Sequence, residues 1–210
     1  MPTSRKRELA RVLSGVDRFD HPRVDLEQYP TPPDLAAAII HLADLRGDID
    51  DQYVVDLGSG PGILAIGAAF RNPAQVVGIE IDPASIETAK KNVESVTPPV
   101  TPEWILGDAM TPPLCPTTGV TLLMNPPFGA QRGNIHADRQ FLRAAIPLAA
   151  VTYSVHNAGS RSFIESFAAD NGGEVTDAIS MKMDLERQFS FHELEETSID
   201  TELYRIEWRS

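Results

Sequence analysis

A chain of 210 residues, 42% hydrophobic and 23% charged, is sized for one full core and is too mixed to be disordered or fibrous. No apolar run approaches the ~18 residues that span a bilayer, and the opening "MPTSRKREL" lacks the apolar centre of a secretory signal, so a soluble cytoplasmic protein is expected. The single Cys115 excludes an internal disulfide and, with no Cys or His neighbour at ligand spacing, a structural zinc site. The net charge of -12 argues, taken alone, against a nucleic-acid partner. Lysine, however, occurs only at Lys6, Lys90, Lys91 and Lys182, and the acidic residues are spread along the whole length. That pattern suits a protein kept hydrated in concentrated salt, where charge is screened within ~3 Å at 1 M and the acidic balance says little against RNA.

From the N-terminus, "SRKRELARVLSGV" (Ser4 to Val16) places Leu9, Val12 and Leu13 at helical spacing. After a proline-rich break a second helix should run to about Leu45, with Thr31 as its cap and Asp34 three residues later in the capping-box position. "YVVDLG" (Tyr53 to Gly58) and "QVVGIEI" (Gln75 to Ile81) read as buried strands around the helix "GILAIGAAF", a βαβ unit. "PASIETAKKNVESV" is the next helix, with Pro83 in its first turn. "TPEWILGD" is a third strand, "GVTLLMN" a fourth, "ADRQFLRAAIPLA" a helix, "AVTYSVH" a fifth strand and "GSRSFIESFAADNGG" a helix. The tail, "EVTDAISMKMDL" and "DTELYRIEWR", alternates apolar and polar as an antiparallel hairpin at a sheet edge. The expected fold is a doubly wound, Rossmann-like α/β domain: a mostly parallel sheet of seven strands with an antiparallel C-terminal hairpin.

"DLGSGPG" puts Gly58, Gly60 and Gly62 in the first strand-to-helix turn, where a bare backbone lets a ligand approach closely. Glu80 ends the second strand where a carboxylate can accept from both ribose hydroxyls of an adenosine. The spacing is G-x-G-x-G, with Ile63 where a dinucleotide fingerprint would want its third glycine, and Asp56 at the strand end suits a cationic methionine moiety better than a pyrophosphate. The cofactor expected is S-adenosylmethionine. Asp108, in "LGDA" with Ala109, has the position to hydrogen-bond the adenine amino group, although a plain turn Asp would look the same.

"LLMNPPFG" (Leu122 to Gly129) ends the fourth strand beside that cofactor. An exocyclic aromatic amine is a poor nucleophile, because its lone pair is delocalised into the ring. Two oxygens that accept its two N–H hydrogens favour a pyramidal nitrogen, and the Asn125 side chain with the Pro126 carbonyl supplies two. Pro127 braces the backbone. Phe128 offers a stacking face for a flipped or unpaired base, worth ~1–3 kcal/mol. No acid, base or metal is required: the chemistry is placement and electrostatics. The competing reading is a rigid turn with Phe128 in the core.

Taken together, "LEQYPTPP", "DLGSGPGILAIGAA", "IEIDPASIETAKKN", "MNPPFGAQ" and "YSVH" resemble the archaeal and eukaryotic class I methyltransferases that modify N6 of an adenosine in small-subunit ribosomal RNA. With the salt-adapted composition, the resemblance points to a halophilic archaeon. It implies that Gln28 and Thr31, within an N-terminal helical segment (1–50), close over a cofactor held by the catalytic domain (51–210). It implies a pocket of Gly58, Pro61, Ile63, Glu80 and Asp108, with Asn125 to Phe128 holding the adenine. One departure is Ser59-Gly60-Pro61, where eukaryotic members carry cysteines. The family also implies a small zinc-binding activator that adds a strand to the sheet edge; "VTPEWILGD", Val100 to Gly107 with Trp104, Ile105 and Leu106, is the apolar edge expected to take it.

Fainter signals are "GAQRGN" (Gly129 to Asn134) as a loop ordering over RNA through Arg132, the basic patch Arg5, Lys6, Arg7 and Arg11, His156 at a strand end, and a solvated turn at His192. The first three have an ordinary structural reading beside the functional one, and His192 has only the structural one. Rival functions are guanine N2 in RNA, adenine in DNA, a release-factor glutamine, or a non-catalytic RNA-binding assembly factor.

Overall fold

In the computed structural model, which describes residues 2–20, 22–115, 119–128, 137–186 and 196–209, one sheet of seven strands runs in the order β3-β2-β1-β4-β5-β7-β6. β1 (Tyr53–Leu57), β2 (Gln75–Glu80), β3 (Glu103–Leu106), β4 (Val120–Met124) and β5 (Ala149–Asn157) are mutually parallel. β6 (Gly173–Glu186) and β7 (Glu196–Trp208) form the expected antiparallel hairpin, with β7 inserted against β5. The mostly parallel strands need crossover helices, and these cover both faces; β4, VTLLM, is therefore apolar and buried throughout apart from a buried Thr121.

The period-2 alternation of the strands divides the core into two layers. On one face α1 (Pro2–Leu13), α2 (Pro33–Arg46) and α3 (Ile63–Ala69) bring Leu13, Ile39, Ile40 and Ile66 against Val54, Leu123 and Tyr153, with α4 (Pro83–Val96) joining through Val93 and Val96. On the other, α5 (Ala137–Ala145) and α6 (Arg161–Asp170) bring Phe141, Leu142 and Ile164 against Leu57, Leu122, Met124 and Tyr204. The N-terminal helices thus share the core of the sheet. Among the described residues no helix is long and apolar enough to cross a membrane.

Three local expectations change. The first helix stops at Leu13, short of Val16, because Ser14 and Gly15 turn the chain. Thr31 does not cap α2: Pro32 occupies the cap position with no side-chain bond, and Pro33 at the start of the helix has no N–H to be capped. The edge strand is only partly exposed. β3 does end the sheet and Leu106 is 61% exposed, but Trp104 turns its ring inward, where a Cβ on Gly78 or Gly62 would fall 2.3 and 2.5 Å from it. Gly62, at φ 91, therefore serves packing as well as the turn.

β1 and β4 are neighbours whose connections leave in opposite directions along the sheet, so a crevice opens at their carboxyl ends. "DLGSGPG" and "NPPF" both emerge there.

Candidate active site

After β1 the chain turns through Gly58, Gly60 and Gly62, all at positive φ, and the Gly58 and Ser59 N–H groups donate to the Ile79 carbonyl at 2.9 and 3.0 Å. Glu80 ties this loop to the next strand: one carboxylate oxygen accepts the Gly60 N–H at 2.7 Å and the other the Asp82 N–H at 2.8 Å. Burial pushes its pKa up, and these N–H groups oppose the shift. Glu80 lines a cavity with Asp108, Ala109, Pro127 and Gln28. Asp108 is exposed and one of its oxygens takes the Met110 N–H at 2.8 Å, so it has the turn geometry as well as a place on the cavity wall. Gln28 is buried; its oxygen accepts the Arg23 N–H at 2.7 Å and its amide donates to Asp82 at 2.9 Å, pinning the segment before α2 onto the start of α4.

An adjoining cavity is lined by Thr31, Asp56, Ser59, Gly60, Pro61 and Ile63, and Gly58 and Asn125 line both. Asp56 is 1% exposed; one oxygen accepts the Ala65 N–H at 3.0 Å, while the other is buried without a partner. Burial pushes its pKa up to about 7, with the Glu80 charge adding and the Ala65 N–H opposing. Asn125 donates its amide to the Thr31 hydroxyl at 3.0 Å, which leaves its Oδ1 buried and unpartnered. Thr31, expected as a helix cap, is thus the group that orients Asn125. Pro126 is buried beside it and Pro127 lines the cavity. Phe128, expected as an open stacking face, is half-buried and packed against the larger core, so only part of its ring is open.

His156 proves to be a satisfied residue: 1% exposed, with its Nε2 2.7 Å from Ser154 Oγ and its Nδ1 3.7 Å from the Asp138 carboxylate at the start of α5. Gly129 to Asn134, with Arg132, and His192 lie outside the described residues.

The geometry can be set beside known proteins. A family model for ribosomal protein L11 methyltransferases matches residues 39–99, which include the glycine loop and Glu80. The rRNA N6-adenosine-methyltransferase Mettl5 of Drosophila melanogaster is 32% identical over 210 residues, covering 96% of this chain and 95% of that protein, and its Danio rerio counterpart is 32% identical over 208. The chain belongs to the rRNA N6-adenosine methyltransferase family. A proposed RNA methyltransferase from Pyrococcus horikoshii, solved by crystallography, superposes with a TM-score of 0.87 at 35% identity, with 98% of each chain covered.

Within this family member the site contains residues that no motif revealed. Phe19 and Tyr29 line both cavities, and the Phe19 ring lies so close over Gly60 that a Cβ there would be 2.8 Å from it. Phe141 of α5 closes over Gly58 in the same way, at 3.0 Å. Asn92 of α4, 1% exposed, clamps the Phe19 segment to the glycine loop: its amide donates to the Asp17 and Pro61 carbonyls, each at 3.0 Å, and its oxygen accepts the Asp17 N–H at 2.8 Å. The sequence does hold one trace of it, since Asn92 is a polar residue on the face of α4 that also carries Ala89, Val93 and Val96.

Proposed function

We infer that this protein transfers the methyl group of S-adenosylmethionine to N6 of an adenosine in small-subunit ribosomal RNA. The observation that carries the reading is the orphaned Oδ1 of Asn125, held by Thr31 at the end of β4. It is a buried acceptor without a donor, which suits a primary aromatic amine that offers its hydrogens. Asp56 Oδ1, unpartnered on the same cavity wall, fits the cationic methionine end of the cofactor, and Glu80 with Asp108 and Ala109 fits its adenosine end. S-adenosylmethionine, when bound, supplies an electrophilic methyl on a sulfonium that leaves without protonation. The residues of this chain accept the two amine hydrogens at Asn125 Oδ1 and the Pro126 carbonyl, hold the base against Phe128, and cover the site with the Gln28 to Thr31 segment. The test is to incubate the protein with labelled cofactor and ribosomal RNA, DNA or release factor, then digest the product. Label in N6-methyladenosine from ribosomal RNA is expected, and label in guanosine or protein overturns the reading. Asn125→Ala should lower turnover by ~10²–10³-fold, the range for losing one preorganised polar group, while cofactor affinity changes little.

The partner included in this proposal is a small zinc-binding activator that pairs with β3 over Val100 to Gly107. Its support is the place of β3 at the end of the sheet and the exposure of Leu106; the inward ring of Trp104 leaves Leu106 as the apolar contact. Leu106→Lys should weaken that complex by about tenfold or more, in the range for an interface anchor, and leave the free protein folded. An unchanged affinity places the activator elsewhere.

A further inference from the structure

We propose that the groove between α1 and the first turn of α2 is the track along which the RNA backbone flanking the target adenosine enters the catalytic cavity. This rests on the RNA reading above. One wall of the groove is Arg7, Ala10 and Arg11, at i, i+3 and i+4 on a single face of α1, with Ser14 just beyond its end. The other wall is Pro33 and Asp34. Pro33 also lines the cavity that contains Thr31, Asp56 and Asn125, and the chain leaving α1 continues along that cavity as Val16 to Phe19. The groove therefore opens at the mouth of the site, and a strand with one base in the cavity has to lay its neighbouring phosphates close to this opening.

Charge selects the occupant. The chain as a whole carries -12, whereas α1 has four basic residues, Arg5, Lys6, Arg7 and Arg11, against one acidic residue, Glu8. Arg7 and Arg11 are exposed, and among the described residues no carboxylate forms an ion pair with either. Seven other basic residues, outside α1, are already paired. The two guanidinium groups stand one helical turn apart, ~6 Å along the axis, and each can hold a phosphate by two parallel N–H donors. Repulsion from acidic groups farther than ~8 Å is largely screened at physiological salt, while contacts made at close range in the groove are screened less. Asp34, exposed on the opposite lip, repels phosphate and confines the backbone to the α1 side.

The experiment measures binding of a short fluorescein-labelled single-stranded RNA that contains adenosine, across a salt series, to the parent protein and to the double variant Arg7→Gln/Arg11→Gln. Two lost phosphate contacts should raise Kd about tenfold at low salt and make the slope of log Kd against log salt shallower by about 1.4. Cofactor affinity and turnover at saturating RNA should stay at parent values. Arg209→Gln is the control: it removes a cation just after β7, whose end lies beside the amino end of β5 and so opposite the cavity. The proposal is overturned if the double variant keeps the parent affinity and slope, or if the control loses as much. The two readings fail separately. Methyl label in guanosine, together with RNA binding lost in the double variant, removes the assigned base and keeps the groove; a parent that binds no RNA removes both.

Discussion

Among the described residues, the buried polar groups around Arg205 and those at the crevice differ in whether the protein completes them. Between β5, β6 and β7, Arg205 is 6% exposed and each of its guanidinium nitrogens donates: Nε and Nη2 to Asp48 at 2.8 and 3.1 Å, Nη1 to Thr176 at 2.7 Å and Glu207 at 2.5 Å. The Tyr153 hydroxyl adds a bond to the same Asp48 carboxylate at 2.5 Å. Burial works against the Arg205 charge, but these partners outweigh it and hold its pKa above the ordinary value. At the carboxyl ends of β1 and β4, by contrast, Asp56 Oδ1, Ser59 Oγ and Asn125 Oδ1 are buried without partners, and all three residues line one cavity. Each orphan left dry costs ~1–3 kcal/mol, so three on one cavity wall favour water or a ligand there. The first cluster is completed by the protein; the second is left open on a cavity wall.

The largest effect that separates them should come from Arg205→Met. It strands the Asp48 carboxylate without its cation, a loss of ~3–5 kcal/mol for breaking a buried pair, which lowers Tm by roughly 10 °C or more in a chain of this size. The variant that remains folded should bind cofactor as the parent does, since no member of that network lines either cavity. Asn125→Ala should do the reverse. Its loss in turnover comes with a Tm within about 2–4 °C of the parent, because the side chain removed holds one satisfied donor and one orphaned acceptor whose contributions oppose each other. Calorimetry and turnover on both variants check the contrast, and a large drop in stability for Asn125→Ala would place it with the architecture.

How much of this was legible in the sequence follows from distance along the chain. The strands, the helices and the glycine loop are short-range patterns, and "NPPF" is contiguous, so both halves of the crevice could be found from spacing alone. The pairings that make it a site are long-range: Thr31 meets Asn125 across 94 residues, Asn92 meets Asp17 across 75, and Arg205 meets Asp48 across 157. No local periodicity encodes those meetings. The misreading of Thr31 as a helix cap shows the mechanism: a local rule pointed one way, Pro33 offered no N–H to reward it, and the tertiary bond to Asn125 prevailed. The edge-strand pattern likewise leaves Trp104 in the open, because its two glycine neighbours, Gly62 and Gly78, are distant in sequence and their lack of side chains becomes meaningful only in the folded sheet.

The smallest effect concerns protons at Asp56. A carboxyl whose pKa rises on folding, here from the ordinary 3.8 to about 7, binds its proton more tightly folded than unfolded. Its contribution to stability therefore falls as pH rises through that interval, and above about pH 7 the whole cost of ionising it is present in the ligand-free protein. A cation beside Asp56 favours the ionised form and removes that cost. Affinity for S-adenosylmethionine should then weaken as pH falls below about 7, by up to tenfold per unit, and level off above it, with a proton released on binding near neutrality. Asp56→Asn should flatten the profile, since its amide has no proton to lose. Titration calorimetry in buffers of different ionisation enthalpy measures both the affinity and the proton count. A Kd independent of pH across neutrality, with no proton released, would mean that the orphaned oxygen of Asp56 faces a neutral part of the ligand, and the cation would then have to be sought nearer to Asn125.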